Sequence, residues 1–390
     1  MEVPFVKTIS HWTICRGTLD HDACILSVLI VNLEAEPPTD WKLVHIRDAN
    51  DSKDAQYQLS KDADFDFEIV RNLSYTAGEG SDVGEVLVAA QEIIPKDMRS
   101  YSTAFNRSAD RVQTQVDSIN ATKYPVSARK AYFRASSYYR LANFFLHGNC
   151  QRFNLTSNDN KFEIPAIFYS SGRPGPRPTI ILCQGYDGAQ EEMYHVIGKA
   201  ALERGINVIT YEGPGQPTVR REQAPRAAAF DHRLAAVMAV DGVFDFGQDL
   251  LSALPPVLAK LFTSGNATGF NHAIAEALES PEATTEFRWT FQQGEAPTPY
   301  DFLNKSQAYN LETVINNIKV PVFVGDAEDD HFFKGQAQEL AKALGSLAHY
   351  HFFNATLCVG EHCSAGGSVL MNQVVLDWFE GILANVTRIE

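Results

Sequence analysis

The sequence lacks long apolar runs, a secretory signal and an excess of basic residues. No stretch reaches the ~18 consecutive apolar residues that a membrane-spanning helix needs, and the apolar run 23–31 has the length of a strand. The N-terminus has no basic segment followed by an apolar one. These absences predict a cytoplasmic protein that does not bind membranes.

Charge and cysteine usage exclude further classes. The 33 basic residues are outnumbered by 48 acidic ones, and a net charge of −15 disfavours nucleic acid as a partner. The six cysteines are scattered, without a Cys-x-x-Cys pair or a His/Cys cluster at zinc-ligand spacing. We therefore interpret them as reduced thiols and predict no metal site.

The composition is that of an ordinary globular protein, 45% hydrophobic and 21% charged. A length of 390 residues suggests two units, or one α/β domain with a large appendage. Residues 1–64 are interpreted as an irregular extension, because one strand-like run precedes a polar, Asp/Lys-rich stretch. Residues 65–150 predict a helical domain, whose clearest helix has Ser127 as its N-cap.

Short apolar runs alternate with helix-like segments from residue 161 to residue 390. The alternation predicts an α/β fold, a mostly parallel sheet with helices on both faces. The predicted strands are residues 165–170, 179–183, 206–211, 234–240, 320–325 and 349–353. The predicted helices are residues 191–204, 253–262, 273–279, 335–344 and 369–384.

Polar loops follow the predicted strands, at the edge where ligands of open α/β sheets bind. An Asp-rich loop follows the penultimate strand, and His362 follows the last one. An acid and a histidine in these places form the second half of a Ser…Asp…His triad in hydrolase order. His362 is therefore the predicted general base, and its acid is predicted among Asp326, Asp329 and Asp330.

Four segments resemble a known family. They are residues 185–192 (Gly-Tyr-Asp-Gly-Ala-Gln-Glu-Glu), 212–217 (Glu-Gly-Pro-Gly-Gln-Pro), 332–336 (Phe-Phe-Lys-Gly-Gln) and 360–363 (Gly-Glu-His-Cys). They resemble the fungal α/β-hydrolases of polyketide and polyketide–peptide clusters, including the fusarin-cluster and yellowish-green pigment hydrolases. They are also similar to bacterial 2,6-dihydroxypseudooxynicotine hydrolase. The resemblance extends over residues 65–390.

The resemblance implies an α/β-hydrolase core at residues 161–390, joined to the helical domain and forming a homodimer. It implies serine-type hydrolysis of a C–C, ester or thioester bond in a small polyketide-like molecule, without a cofactor. Tyr186 and Asp187 would form the oxyanion loop. Asp330 is the favoured acid, because in such hydrolases the acid falls about nine residues after a proline such as Pro321. Asp329 and Asp326 are the alternatives.

One part of the family pattern is absent, since the chain has no Gly-x-Ser-x-Gly and so no nucleophile elbow. The family places a helix, a central strand and a second helix where this chain has only the 18 residues 216–233. One parallel crossover alone takes about a dozen residues, so a block of about forty is expected to be missing. Neither Cys183, in the oxyanion-loop position, nor Cys363, beside the histidine, is placed on an elbow.

Two functional hypotheses follow. The first is a serine-type α/β-hydrolase of fungal secondary metabolism. The alternative is a non-catalytic relative, a pseudoenzyme or truncated gene product, that binds a ligand or pairs with a homologue. If the chain folds as written, residues 234–240 are expected to pair beside residues 206–211, because each buried, unpaired backbone group costs about 1–3 kcal/mol.

Overall fold

The chain forms two compact units. The computed structural model describes residues 7–8, 27–31, 58–145, 166–183, 188–211, 228–229, 232, 234–280, 283–293 and 296–386. The sheet unit comprises Met1–Gln56, Phe162–Phe244 and Leu311–Glu390, and the helical unit comprises Tyr57–Lys161 and Asp245–Asn310. Within the described residues, no helix is both long and apolar enough to cross a membrane.

The sheet unit is built on an eight-stranded sheet in the order β1-β3-β5-β4-β2-β6-β7-β8. The strands are β1 (Lys7–Thr8), β2 (Ser27–Val31), β3 (Ala166–Tyr169), β4 (Thr179–Cys183), β5 (Asn207–Tyr211), β6 (Leu234–Ala239), β7 (Val322–Ala327) and β8 (Ala348–Phe353). Strands β4 and β5 are parallel neighbours, as are β6, β7 and β8. The six strands predicted after residue 161 are all present, with bounds that shift by one or two residues.

Strand β2 joins the two parallel halves of the sheet. It pairs antiparallel with β4 on one side, where Leu29 lies opposite Ile181, and with β6 on the other, where Leu29 lies opposite Val237. The expectation that residues 234–240 pair beside residues 206–211 is therefore wrong. The physical reason is that β4 and β2 lie between them, and β2 supplies the backbone partners that β6 would otherwise lack.

Helices cover both faces of this sheet. They are α5 (Lys199–Glu203), which a wider π-type turn at Tyr194–Gly198 precedes, α11 (Gln336–Leu344) and α12 (Ser368–Val386). On one face, Phe323 and Met238 pack with Phe379 of α12 in a buried cluster. On the other face, Val324 packs in a cluster with Leu340 of α11. Alternate residues of β7 thus face opposite cores, as a buried parallel strand requires.

The helical unit contains nine of the described helices. They are α1 (Ala63–Ser74), α2 (Val83–Ala90), α3 (Met98–Ser118), α4 (Pro125–Phe144), α6 (Phe246–Ala253), α7 (Pro256–Thr263), α8 (Ala267–Glu279), α9 (Thr285–Gln293) and α10 (Pro299–Ser306). Helices α1, α3 and α4 share an aromatic core in which Phe65, Tyr101 and Phe105 are fully buried. The aromatic residues predicted to pack along α4 include Tyr138, which is in this core.

Residues 245–310 group with the N-terminal helices, whereas the sequence analysis expects them in the core at 161–390. Asp62 shows why they join the N-terminal helices. Its carboxylate caps α1 by accepting from the backbone N–H of Asp64 and Phe65, and it also accepts from the hydroxyl of Thr285, at 2.6 Å, in α9. Likewise β1 and β2 belong to the sheet, so residues 1–64 are not a purely irregular extension.

A proline in β2 tests its central position. Leu29→Pro removes a backbone donor from a strand that has partners on both sides, so it should lower the free energy of unfolding by about 1–3 kcal/mol. Thr8→Pro, in the edge strand β1, is the matched control and should cost less. Thermal unfolding followed by circular dichroism measures both. Equal effects of the two prolines would show that β2 is not a central strand.

Candidate active site

The candidate site lies at the carboxyl edge of β6, β7 and β8. Asp241 follows β6, Asp330 follows β7, and His362 lies in the turn after β8. Because these strands are parallel neighbours, the segments that follow them emerge on one edge of the sheet. Gly325 allows the close approach, since a Cβ there would lie 2.0 Å from the carbonyl oxygen of Val240.

The imidazole of His362 is held by two carboxylates. Its Nδ1 lies 2.8 Å from Asp241 Oδ2 and 3.1 Å from Asp330 Oδ2. Asp241 is 3% exposed and Asp330 is 5% exposed, so both charges are removed from bulk water. Since ionised carboxylates only accept hydrogen bonds, this contact places the ring proton on Nδ1.

Asp330 is fixed by its own loop. Its Oδ1 accepts hydrogen bonds from the backbone N–H of Phe332 at 2.8 Å and of Phe333 at 3.0 Å. The two phenyl rings lie against the His362 ring, with centroids 5.1 and 5.5 Å away. Asp330 Oδ1 therefore organises the loop, while Oδ2 contacts the imidazole. The two aromatic rings restrict the rotation of the imidazole.

The other two acids of this loop are held elsewhere. Asp326 accepts hydrogen bonds from Gln338 Nε2, at 3.0 Å, and from the hydroxyl of Tyr350. The side chain of Asp329 is exposed, and its backbone N–H donates to the carbonyl of Gly360 at 2.8 Å. Of the three predicted candidates, Asp330 is thus the one placed at His362. Its catalytic role stays a prediction.

Asp241 is the residue that the sequence analysis missed. Its Oδ2 also accepts the backbone N–H of Cys363, so the same atom binds the imidazole and the turn that carries it. A signal was present in the sequence, because Asp241-Gly242 follows a predicted strand directly. A Cβ at position 242 would lie 2.8 Å from side-chain atoms of Leu340 and Val324, so a glycine suits this packing.

Burial and charge shift the pKa values of the cluster. Burial opposes the charged form of His362, but Cys363 and the two carboxylates outweigh it and hold the pKa of the imidazole well above its usual 6.5. Burial also opposes the charged form of Asp330, yet His362 and the backbone donors lower its pKa. Burial raises the pKa of Asp241. Burial lowers the pKa of the neighbouring His331 to about 4.

The turn after His362 has an unusual backbone. Cys363 has φ 52° and Ser364 has φ 50°, in the left-handed region that residues with a side chain rarely adopt. In this turn Cys363 Sγ lies 3.5 Å from His362 Nε2. The two nitrogens of the ring therefore meet different groups, carboxylates at Nδ1 and a thiol at Nε2.

The cluster also brings three potential metal ligands together. One ligand atom each from Asp241, His362 and Cys363 lie within 4.8 Å of one another. However, Asp241 Oδ2 is already bonded to Nδ1 and to a backbone N–H. Nε2 and Sγ alone fall short of the three or four protein ligands of zinc sites, so we assign no metal there.

The remaining predicted site residues belong to two other segments of the chain. Tyr186 and Asp187 of the oxyanion loop lie outside the described residues, as do residues 217–227, where the nucleophile block is expected to be missing. Ala228 and Ala229, just beyond this segment, are buried and pack with Val237 and Leu311.

Removing one carboxylate tests the electrostatics of His362. Asp330→Asn should lower the pKa of His362 by roughly 1–3 units, because a charge in contact with the ring is lost. Titration of the ring protons by NMR measures the shift. Asp329→Asn is the matched control and should leave the titration unchanged. A titration unaffected by Asp330→Asn, or shifted equally by both variants, would contradict the described contact.

Comparisons with known proteins give relatives at low identity. Hydrolase LUC6 of Fusarium sp is 25% identical over 395 aligned positions, which cover 80% of this chain and 93% of that protein. The 20-hydroxy-prefusarin hydrolase FUS2 of Gibberella moniliformis is 25% identical, over 69% of this chain and 83% of that protein. No protein-family model matches the chain. The predicted resemblance to fungal hydrolases is confirmed.

In these alignments the number of aligned positions is larger than the number of residues of this chain that they cover. For hydrolyase poxO of Penicillium oxalicum, 27% identical, 256 aligned positions take in 57% of this chain and 59% of that protein. That share of the chain is about 222 residues, so about 34 positions have no counterpart here. For LUC6 the share is about 312 residues and the excess about 83 positions.

A solved structure resembles the fold. The crystal structure of 2,6-dihydroxy-pseudo-oxynicotine hydrolase matches with a TM-score of 0.54 and 15% sequence identity. The match covers 80% of this chain and 96% of that one. The predicted fold class, an α/β-hydrolase core with an N-terminal helical region, is confirmed.

Proposed function

We propose that this protein derives from the serine-type α/β-hydrolases of fungal secondary metabolism and carries the acid–base half of their active site. The observation that carries the proposal is the His362 imidazole, bonded through Nδ1 to buried carboxylates at the carboxyl edge of the sheet. One relative is a 20-hydroxy-prefusarin hydrolase, which supports a small polyketide-like substrate. The bond cleaved would be an ester, a thioester or a C–C bond.

Each member of the cluster has a separate role. Nε2 of His362 would take a proton from the attacking nucleophile and return it to the leaving group. Asp330, whose pKa is low, would hold the ring in this tautomer and stabilise the imidazolium that forms. Asp241 would fix the turn through the Cys363 N–H. Tyr186 and Asp187 would provide the oxyanion loop, and the resemblance also implies a cytoplasmic homodimer.

The serine nucleophile elbow is the part of the family's machinery that the sequence does not contain. The unmatched positions, about 34 against poxO and about 83 against LUC6, are comparable with or larger than the block of about forty residues expected to be missing after Gln216. The antiparallel β2 also supports a lost central strand, because it lies between β4 and β6. We infer that a longer form of the chain contains a Gly-x-Ser-x-Gly block in this segment.

The second candidate is a non-catalytic relative that binds a ligand or pairs with a homologue. The absent serine motif and the position of β2 favour it for the chain as written. Without an elbow serine, His362 has no such hydroxyl to deprotonate, and serine acylation has no first step.

Serine-directed labelling separates the two candidates. The transcript should be sequenced across residues 216–224, and any longer form expressed beside the chain as written. A longer form should react with a fluorophosphonate probe and turn over ester substrates, and His362→Ala in it should lower kcat by about 10²–10⁴-fold. Asp329→Asn is the control and should retain full turnover. A transcript without the block, together with an unlabelled chain, would leave only the non-catalytic candidate.

A further inference from the structure

The thiol of Cys363 lies at the ring nitrogen of His362 that faces away from the carboxylates. The distance from Sγ to Nε2 is 3.5 Å, while Nδ1 is bonded to Asp241 and Asp330. We propose that Cys363 is a nucleophile that His362 activates, and that it accepts an acyl group from a thioester or an activated ester. The inference rests on the base role proposed for His362 but needs no restored serine.

The three groups have the mutual geometry of a catalytic triad. When the ring is neutral, its proton stays on Nδ1 against the carboxylates and Nε2 presents a lone pair, to which the thiol can donate. A nucleophile within reach of a base that a third group orients is the arrangement common to serine and cysteine acyl transfer. The left-handed turn at Cys363 lets two consecutive residues, the base and the thiol, meet each other.

The other two described thiols differ from Cys363 in burial. Cys183 is buried, and its Sγ lies 2.8 Å from the hydroxyl of Tyr211. Burial raises the pKa of Cys183 to about 12. Cys358 is exposed and shares the left-handed backbone of Cys363, with φ 57°. Cys358 therefore provides a matched control in backbone conformation and differs in its exposure.

The proposed acylation needs no co-reactant. Sγ attacks the carbonyl carbon of a thioester while its proton passes to His362 Nε2, and a new S–C bond forms. The bond to the leaving thiol then breaks, and that thiol takes the proton from Nε2. In a second step His362 takes a proton from water, the hydroxide attacks the acyl carbon, and the S–C bond breaks. Sγ regains a proton and a carboxylic acid leaves.

The charges around Cys363 and His362 determine the pH at which acylation occurs. Burial raises the pKa of Cys363 to about 11, although His362 opposes this, so the thiol keeps its proton near neutral pH. The proton must therefore leave during the attack, and His362 must be neutral to receive it. Asp241 and Asp330 favour the charged ring, and His331 lies nearby. Acylation should accordingly become faster as the pH rises.

The test uses the full chain and the S-acetyl thioester of N-acetylcysteamine. Intact-protein mass spectrometry and peptide mapping should find one acetyl group on Cys363 in the wild-type protein and in Cys358→Ala. The acetyl group should be absent from Cys363→Ala. In His362→Ala the rate of acetylation should fall by about 10²–10⁴-fold, which is the usual contribution of a general base. Thermal unfolding checks that each variant folds. Cys363→Gly, which carries no nucleophile and adopts the left-handed backbone without strain, replaces the alanine variant if that variant does not fold.

The outcomes separate this inference from the proposed function. Acetylation of a different residue, unchanged in Cys363→Ala, would overturn the role of Cys363 and leave the hydrolase proposal standing. Equal acetylation of Cys363 with and without His362 would also overturn it, because the thiol would then react unaided. If no residue were acetylated, the proposed role of Cys363 as a nucleophile would be overturned. If the longer form also turned over no ester, the hydrolase proposal would fall as well.

Discussion

The candidate site depends on one constraint, the parallel alignment of β6, β7 and β8. Their common direction brings the imidazole of His362 within hydrogen-bond distance of two buried carboxylates, one of which lies 121 positions earlier in the chain. A buried carboxylate without a partner is costly, and so is a buried imidazolium. Each group offsets the cost of the others, so the turn after β8 is held where the sheet presents the acids.

The centre of the sheet meets a second constraint. Two parallel halves that lack a strand between them would bury unpaired backbone groups, and β2 provides the hydrogen bonds from the N-terminal segment. An antiparallel strand satisfies the backbone of its neighbours as well as a parallel one does. It runs in the opposite direction, however, so its N-terminal end lies at the edge where β6 and β7 end. Strand β2 therefore restores the hydrogen bonds of the sheet. It does not restore the nucleophile elbow, because an elbow needs a strand whose C-terminal end lies at the same edge as the ends of β6 and β7.

The sequence predicted the features that local patterns encode. Alternating apolar runs and helical segments located the six later strands, and the order of an acid and a histidine after consecutive strands indicated His362 and the Asp326–Asp330 loop. Patterns along the chain could not assign β2 to the sheet centre, because its partners lie about 150 and 210 residues away. Nor could they group residues 245–310 with α1, since that grouping depends on contacts such as Thr285 with Asp62. The triad pattern did not indicate Asp241, because it contains one acid and has no place for a second.

The turn at Cys363 joins these constraints to the chemistry. Two consecutive non-glycine residues in the left-handed region cost about 1–3 kcal/mol each, and surrounding contacts must compensate. The Asp241 carboxylate does so by accepting the Cys363 N–H while it also binds His362 Nδ1. Asp241 Oδ2 thus stabilises the strained turn and also orients the imidazole ring. In the same turn Cys363 Sγ lies 3.5 Å from His362 Nε2, so the strained backbone and the pairing of thiol with base occur at one place. The backbone strain at Cys363 and Ser364 therefore accompanies the thiol–imidazole contact on which the proposed role of Cys363 depends.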